Sequence, residues 1–279
     1  MLKVLLAAAL AAATAHAPVQ LATLSSPKND YNPSFDRAER TLAFARSEAE
    51  FRQARILVSE KKGGRWTDPA PIAFTDERYS DTDPWLTPDG RTLYFISDRP
   101  TPTDSGKKDL DIWRTQRAGT GWSAPEHLGD LVNSKGPELG VEFHDGALYF
   151  ASVRKGGQGG LDIYMSELGP GGFGAPRPIG APFNSAESDS DFTVSADGRR
   201  AALWRGSGST AAIYVARRDG KGWSAPVRLP DAINHGPFNF TPSFSRDGKT
   251  LWYASTAPRA GQEQGLADIY VAQLPANLK

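Results

Sequence analysis

Four acids and one amide stand at the same place in five copies of a repeated phrase: Asp30, Asp81, Glu138, Asp189 and Asn239. Two residues further on come Asn32, Asp83, Gly140, Asp191 and Thr241. Residues two apart on an extended strand point to the same side. Five such strands brought around one axis would face a ring of oxygen atoms inward. The expected ligand-binding residues are therefore Asp30, Asp81, Asp83, Glu138, Asp189, Asp191 and Asn239. Such a ring could hold a divalent cation such as calcium, or a partner segment bearing lysine or arginine. Acids next to a turn or proline also cap their own backbone. Most of the ring thus has a structural reading, with function falling on two or three members.

The elements that would position this ring are short strands. Each copy has an inner strand, a tight turn with Asp-Gly, an aromatic strand, a loop, a DIY-like strand and a GW-S-A-P step. The second copy reads SDTDPWLTPDGRTLYFISDR, then DLDIWRTQ, then GWSAP. The turns fall at Asp89-Gly90, Asp145-Gly146, Asp197-Gly198 and Asp247-Gly248, and the first copy has Arg37-Ala38-Glu39 there. The DIY-type isoleucines are Ile56, Ile112, Ile163, Ile213 and Ile269. Alternating apolar residues after Asp-Gly turns predict half-buried strands. Four strands roughly every 50 residues describe a propeller blade. The expected fold is all-β: a five-bladed β-propeller of four-stranded antiparallel blades.

The last copy stops after its third strand, and the N-terminus supplies what it lacks. Ala17-Pro18-Val19-Gln20-Leu21 matches the fourth-strand sequence Ala225-Pro226-Val227-Arg228-Leu229. Residues 18–24 should therefore close the C-terminal blade and leave no open edge. Before them, MLKVLLAAALAAATAHA has a lysine, a short apolar run and small residues. This reads as a secretory signal peptide, residues 1–15 or up to 17, ahead of one propeller domain at 16–279. No other stretch is long and apolar enough to span a bilayer. The chain has no cysteine, and its 32 basic residues balance 32 acidic ones. That balance does not suggest a nucleic-acid partner. The expected location is periplasmic or secreted, from a bacterium.

The phrases TDPWLTPDGRTLYFISDR (residues 82–99), DIY at 162–164 and 268–270, and GWSAPVRL (222–229) resemble the TolB-type, WD-repeat-like β-propeller family of bacterial envelope proteins. The resemblance covers the whole mature chain. It implies a binding platform whose partner is often another envelope protein.

Chemistry of other kinds finds little support. His127, His144 and His235 lie in different repeats without zinc-ligand spacing, and no G-x-S-x-G elbow is present. No cofactor is called for, apart from the channel cation. The variable loops after the second strands carry Arg99, Lys107, Lys108, Arg154, Lys155 and Arg259, on the face where binding is expected. Trp66, Trp122 and Trp223 follow the repeat and should pack between blades. Trp85 and Trp204 break it and are expected at exposed contacts. The expected function is binding of an envelope protein or small polar ligand at the loop face and channel mouth. The alternative is a glycan-active hydrolase or lyase using channel carboxylates.

Overall fold

The computed structural model describes residues 18–20, 24–119, 121–259 and 265–278. The leader expected at 1–15 or 1–17 lies outside the described residues. Five antiparallel sheets follow one another along the chain and form a five-bladed β-propeller. The inner strands are Asn29–Phe35, Asp81–Leu86, Glu138–His144, Asp189–Val194 and Asn239–Phe244. Each pairs with an aromatic or apolar second strand, which pairs with the DIY-type third strand. In blades one to four the outer strand is broken in two. In blade four, Gly222–Trp223 and Val227–Arg228 both pair with Ala212–Asp219, separated by the S-A-P step. Proline, which donates no N–H, suits such an edge.

Blade five takes its outer strand from the other end of the chain. Val19–Gln20 runs antiparallel to Asp268–Gln273, with Val19 opposite Val271. It fills the place that Val227–Arg228 fills in blade four, as the matching sequences require.

The core lies between blades. Ile56, Leu93, Phe95 and Trp113 fill the space between blades one and two. Ile112, Phe150 and Tyr164 fill the next, and Ile163, Phe192 and Leu203 the third. Ile213, Leu251 and Tyr253 join blades four and five. Leu24, Leu42, Phe44 and Ile269 join blade five to blade one. The Asp-Gly turns need a residue with positive φ, and Gly90, Gly146, Gly198 and Gly248 provide it at 65–79°. Blade one, which has no glycine there, puts Glu39 in that conformation at φ 50°. No helix among the described residues is long and apolar enough to cross a membrane.

Removing residues 18–24 takes away the outer strand of blade five and the buried Leu24 together. The melting temperature of that variant should fall by more than about 10 °C, since losses of several kcal/mol translate to shifts of this order. A change of only a degree or two would show that the ring is held without its closing strand.

Candidate functional site at the channel

All five inner strands slip register by one residue at the same place. The slips lie between Tyr31 and Ser34, Thr82 and Trp85, Leu139 and Glu142, Ser190 and Thr193, and Phe240 and Ser243. Each is a β-bulge, which bends a strand and re-aims its side chains. The residue at each bulge has left-handed backbone: Asn32 φ 51°, Asp83 47°, Gly140 56°, Asp191 52° and Thr241 49°. A β-branched threonine adopts this conformation only under strong local constraint. The second layer read from the sequence is therefore the bulge layer.

The constraint is a circle of hydrogen bonds. Ser34 Oγ of blade one accepts Leu86 N–H of blade two at 2.8 Å. Asp83 Oδ2 accepts Gly140 N–H of blade three at 2.8 Å. Glu142 Oε1 accepts Val194 N–H of blade four at 2.9 Å. Asp191 Oδ2 accepts Thr241 N–H of blade five at 3.0 Å. Thr241 Oγ1 accepts Asn32 N–H of blade one at 3.2 Å and closes the circle. Each interface thus has one side-chain latch. Blades two, four and five use the bulge residue, and blades one and three use the residue two further on. Gly140 has no side chain to offer, and a Cβ there would collide with Asp191. Asn32 is not needed as a latch, and its Oδ1 is buried without a donor.

The first layer behaves differently. Asp30, Asp81, Glu138, Asp189 and Asn239 are each at most 2% exposed, and none lines a channel mouth. Each acid holds an arginine of its own blade: Asp30–Arg46 at 2.6 Å, Asp81–Arg99 at 2.6 Å, Glu138–Arg154 at 2.8 Å and Asp189–Arg205 at 2.5 Å. Asp30, Glu138 and Asp189 also accept from Ser26, Ser134 and Ser185 on the incoming loop. Burial pushes the carboxyls of Asp30, Asp81 and Asp189 up, and the arginines pull against it. Blade five has no such arginine. Ala257 stands where Arg99 and Arg154 stand, each with its N–H on the serine two residues earlier. The acid is correspondingly neutral there: Asn239 bonds Ser255 and Gly236. Acid and arginine are present together or absent together.

The bulge layer opens on the loop face into a cavity of about 470 Å³. Asn32, Asp83, Asp191 and Thr241 line it, together with Tyr31, Phe51, Trp204, Phe238 and Phe240. Phe238 and Phe240 stack with centroids 4.2 Å apart, and Phe51 stands edge-on to both. Phe51 is 37% exposed. Its turn holds three non-glycine residues with left-handed backbone, Glu50, Phe51 and Gln53. Such strain persists where surrounding structure over-determines it. Gly140 abuts both Asp83 and Asp191, so the two carboxyls lie within about 8 Å of each other, given backbone dimensions. Burial, and then the charge of Asp83, push Asp191 up to about 7. Burial also raises Asp83.

The opposite face has a depression of about 530 Å³ around Trp85, Glu142, Phe143 and His144. Burial pushes Glu142 up to about 7, although Val194 N–H donates to it and Thr193 and Trp85 share its depression. Burial lowers His144.

Several expectations change. Most loop cations are already engaged: Arg99 and Arg154 as above, Lys107 with Asp111, and Arg259 with Asp268. Trp204 is only 9% exposed; it packs edge-on against Phe238, and its indole reaches Asp191. Trp85 is half-buried in the channel. Trp122 and Trp223 do pack against neighbouring core residues, under Arg117 and Arg218. His127 bonds Asp111 and Asn133. No group of three or more metal-ligating His, Cys, Asp or Glu occurs among the described residues. The sequence reading passed over Glu142, Phe51 and the Phe238–Phe240 pair. It also passed over Asn133, Asn184 and Asn234, which clamp the backbone of Ile112, Ile163 and Ile213 through both amide atoms. Their constant separation of 21 residues from those isoleucines was the available signal.

No protein-family model and no curated protein matches the chain. Solved structures do. TolB from Acinetobacter baumannii superposes with a TM-score of 0.50 at 19% identity, over 92% of this chain and 56% of that one. This chain thus spans little more than half of that protein. A putative TolB from Agrobacterium tumefaciens gives 0.53 at 14% identity, over 91% and 93%. The catalytic domain of a GH62 α-L-arabinofuranosidase from Coprinopsis cinerea gives 0.56 at 12% identity, over 90% and 92%. What they share with this chain is the propeller fold.

Two outcomes are expected. Asn239→Asp places a buried carboxylate where no arginine waits. It should destabilise the protein by about 3 kcal/mol, measured by denaturant unfolding at pH 8; a neutral result would mean the arginines are dispensable. The second concerns pH. Asp191 and Glu142, raised to about 7 in the fold, hold protons that the unfolded chain releases near pH 4. Their contribution to stability is complete below about pH 4 and is lost as pH rises through about 7. The turn carboxylates Asp89, Asp197 and Asp247 are lowered and titrate below this window. Melting temperature should therefore be higher at pH 5 than at pH 8. The double variant Asp191→Asn, Glu142→Gln should flatten that slope; an unchanged slope would place its origin elsewhere.

Proposed function

We propose that this chain is an exported, non-catalytic binding propeller whose loop-face mouth takes a small polar ligand or a projecting segment of an envelope protein. One observation carries the reading: the mouth cavity joins an aromatic wall to a floor of buried carboxyl and amide oxygens. Pockets that combine apolar walls with a few convergent polar groups are the usual form of a ligand site. The leader-like residues 1–17 support export, and the resemblance to TolB-type propellers supports binding. A glycosidase needs an acid and a base in different environments across an open cleft. Asp83 and Asp191 instead share one environment, and each spends an oxygen as a blade latch.

The two mouths carry their own reporters, since Trp204 lines the loop-face cavity and Trp85 the depression on the other face. Polar small molecules and short peptides should be screened against the labelled protein by ¹H–¹⁵N spectroscopy. Binders are expected to shift the Trp204 indole and leave Trp85 in place, and Phe238→Ala should weaken them at least fivefold. Shifts confined to Trp85 would move the site to the other face. Turnover of nitrophenyl glycosides that Asp191→Asn abolishes would make the protein a hydrolase.

A further inference from the structure

The channel sorts its carboxylates by what neutralises them. Every acid of the first layer has an arginine within 2.8 Å. At the mouth, neither Asp83 nor Asp191 has an ion-pair partner among the described residues, although Arg52 and Lys108 also line the cavity. Asp83 is 8% exposed, so its charge gains little from solvent. A buried carboxylate without a cation is costly, so it either keeps its proton or pairs with a cation that arrives. The third oxygen on this floor, Asn32 Oδ1, is buried and accepts nothing. Backbone N–H groups that the floor could have offered as donors are taken: Asn32, Gly140 and Thr241 each give theirs to the latch circle. Thr82 Oγ1 donates to Asp83 Oδ1 as well, and the floor that remains is richer in acceptors than in donors, which suits a ligand that donates.

From this, and resting on the reading of the mouth as a binding site, we propose that the loop-face cavity takes an alkylammonium group. Its head is received by Asn32, Asp83 and Asp191, and its aliphatic stem lies along Phe51, Phe238 and Phe240. An ammonium has three N–H donors and no acceptor, matching three acceptors on the floor. Aromatic rings beside a cation add attraction through their faces, and they also cover the stem. A divalent metal fits less well, since calcium takes six to eight oxygens and magnesium a full octahedron. The strained turn at Glu50–Gln53 places Phe51 against the other rings, which fixes the wall before any ligand arrives. Asp191, raised to about 7, would give up its proton as the ammonium binds; Tyr31, Arg52, Asp98 and Lys108 are the other titratable groups facing the same cavity.

The ammonium has two sources, a free amine or a lysine of a partner segment, and the test separates them. Intact protein is titrated with n-pentylamine, with acetyl-Gly-Lys-Gly-amide, and with their neutral isosteres 1-pentanol and the norleucine peptide, following both indole signals. Either ammonium probe should shift Trp204 and bind at least tenfold more tightly than its isostere. A tighter lysine peptide assigns the site to a protein segment, and a tighter pentylamine assigns it to a free amine. Asp191→Asn should weaken the preferred probe at least tenfold. Because Asp191 is also a latch, Phe51→Ala at the partly exposed rim serves as the second variant, with at least a fivefold loss. Equal binding of charged and neutral probes overturns the proposal, as does binding unaffected by both variants. If neutral polar compounds move Trp204 while neither ammonium does, the ammonium assignment fails and the mouth remains the site. If every probe moves Trp85 alone, the mouth itself is wrong.

Discussion

Each blade is held to the next at the axis by one side-chain oxygen accepting one backbone N–H. Strands that crowd around an axis turn their edges toward one another at an angle that ladder bonding cannot bridge. An N–H left buried there without a partner would cost about 1–3 kcal/mol. The bulge solves this by turning one residue of each inner strand into the left-handed region, so that its side chain, or in blades one and three that of the residue two further on, lies across the interface. The residue types follow from the task. Aspartate and threonine reach and accept, glycine yields the space that Asp191 needs, and asparagine is left with a spare oxygen. The depth of the channel, the composition of its floor and the separation of its two mouths all depend on this circle.

The circle also explains why two neighbouring layers of acids have opposite characters. Before the bulge, the strand delivers its acid into a closed pocket where the incoming loop and an arginine of the same blade receive it. After the bulge, the acid reaches across to the next blade, and no arginine follows it. Neutral, self-contained pairs thus surround a core of carboxyls whose charge is open to negotiation. The aromatic residues above that core come from blades one, four and five, so the mouth is lopsided although the frame is regular.

The regular frame was legible because repetition amplifies weak signals. Five copies of a turn, a DIY-type strand and an Ala-Pro edge fix blade number and closure even where one copy, such as Arg37-Ala38-Glu39, has lost its glycine. The site was legible only in part. Period-two reasoning put Asp81 and Asp83 on one face, and the bulge between Thr82 and Trp85 is invisible to that reasoning because it adds a residue without changing composition. The arginine partners sit outside the repeat frame, at the end of the second strand in blades one and four and two residues later in blades two and three. Comparing columns therefore does not reveal them. Phe51 comes from the loop after the second strand, whose length and sequence differ from blade to blade, and nothing in the sequence marks it as part of the mouth. Trp204 looked exposed because its blade-mates are small or aliphatic; it is large because it fills the space beneath Phe238.

The pairing of Val19–Gln20 with Asp268–Gln273 joins segments almost as far apart in the chain as two segments can be. Contacts of that separation form late, since the entropy of closing so long a loop must be met before they stabilise anything. Until then the molecule is an arc of blades with one bare edge along Asp268–Gln273. That edge recognises a sequence, not a particular molecule, and the N-terminal strand of a second copy fits it as well as its own. The two residues that seal the monomer are thus also the ones that strand exchange between copies would use.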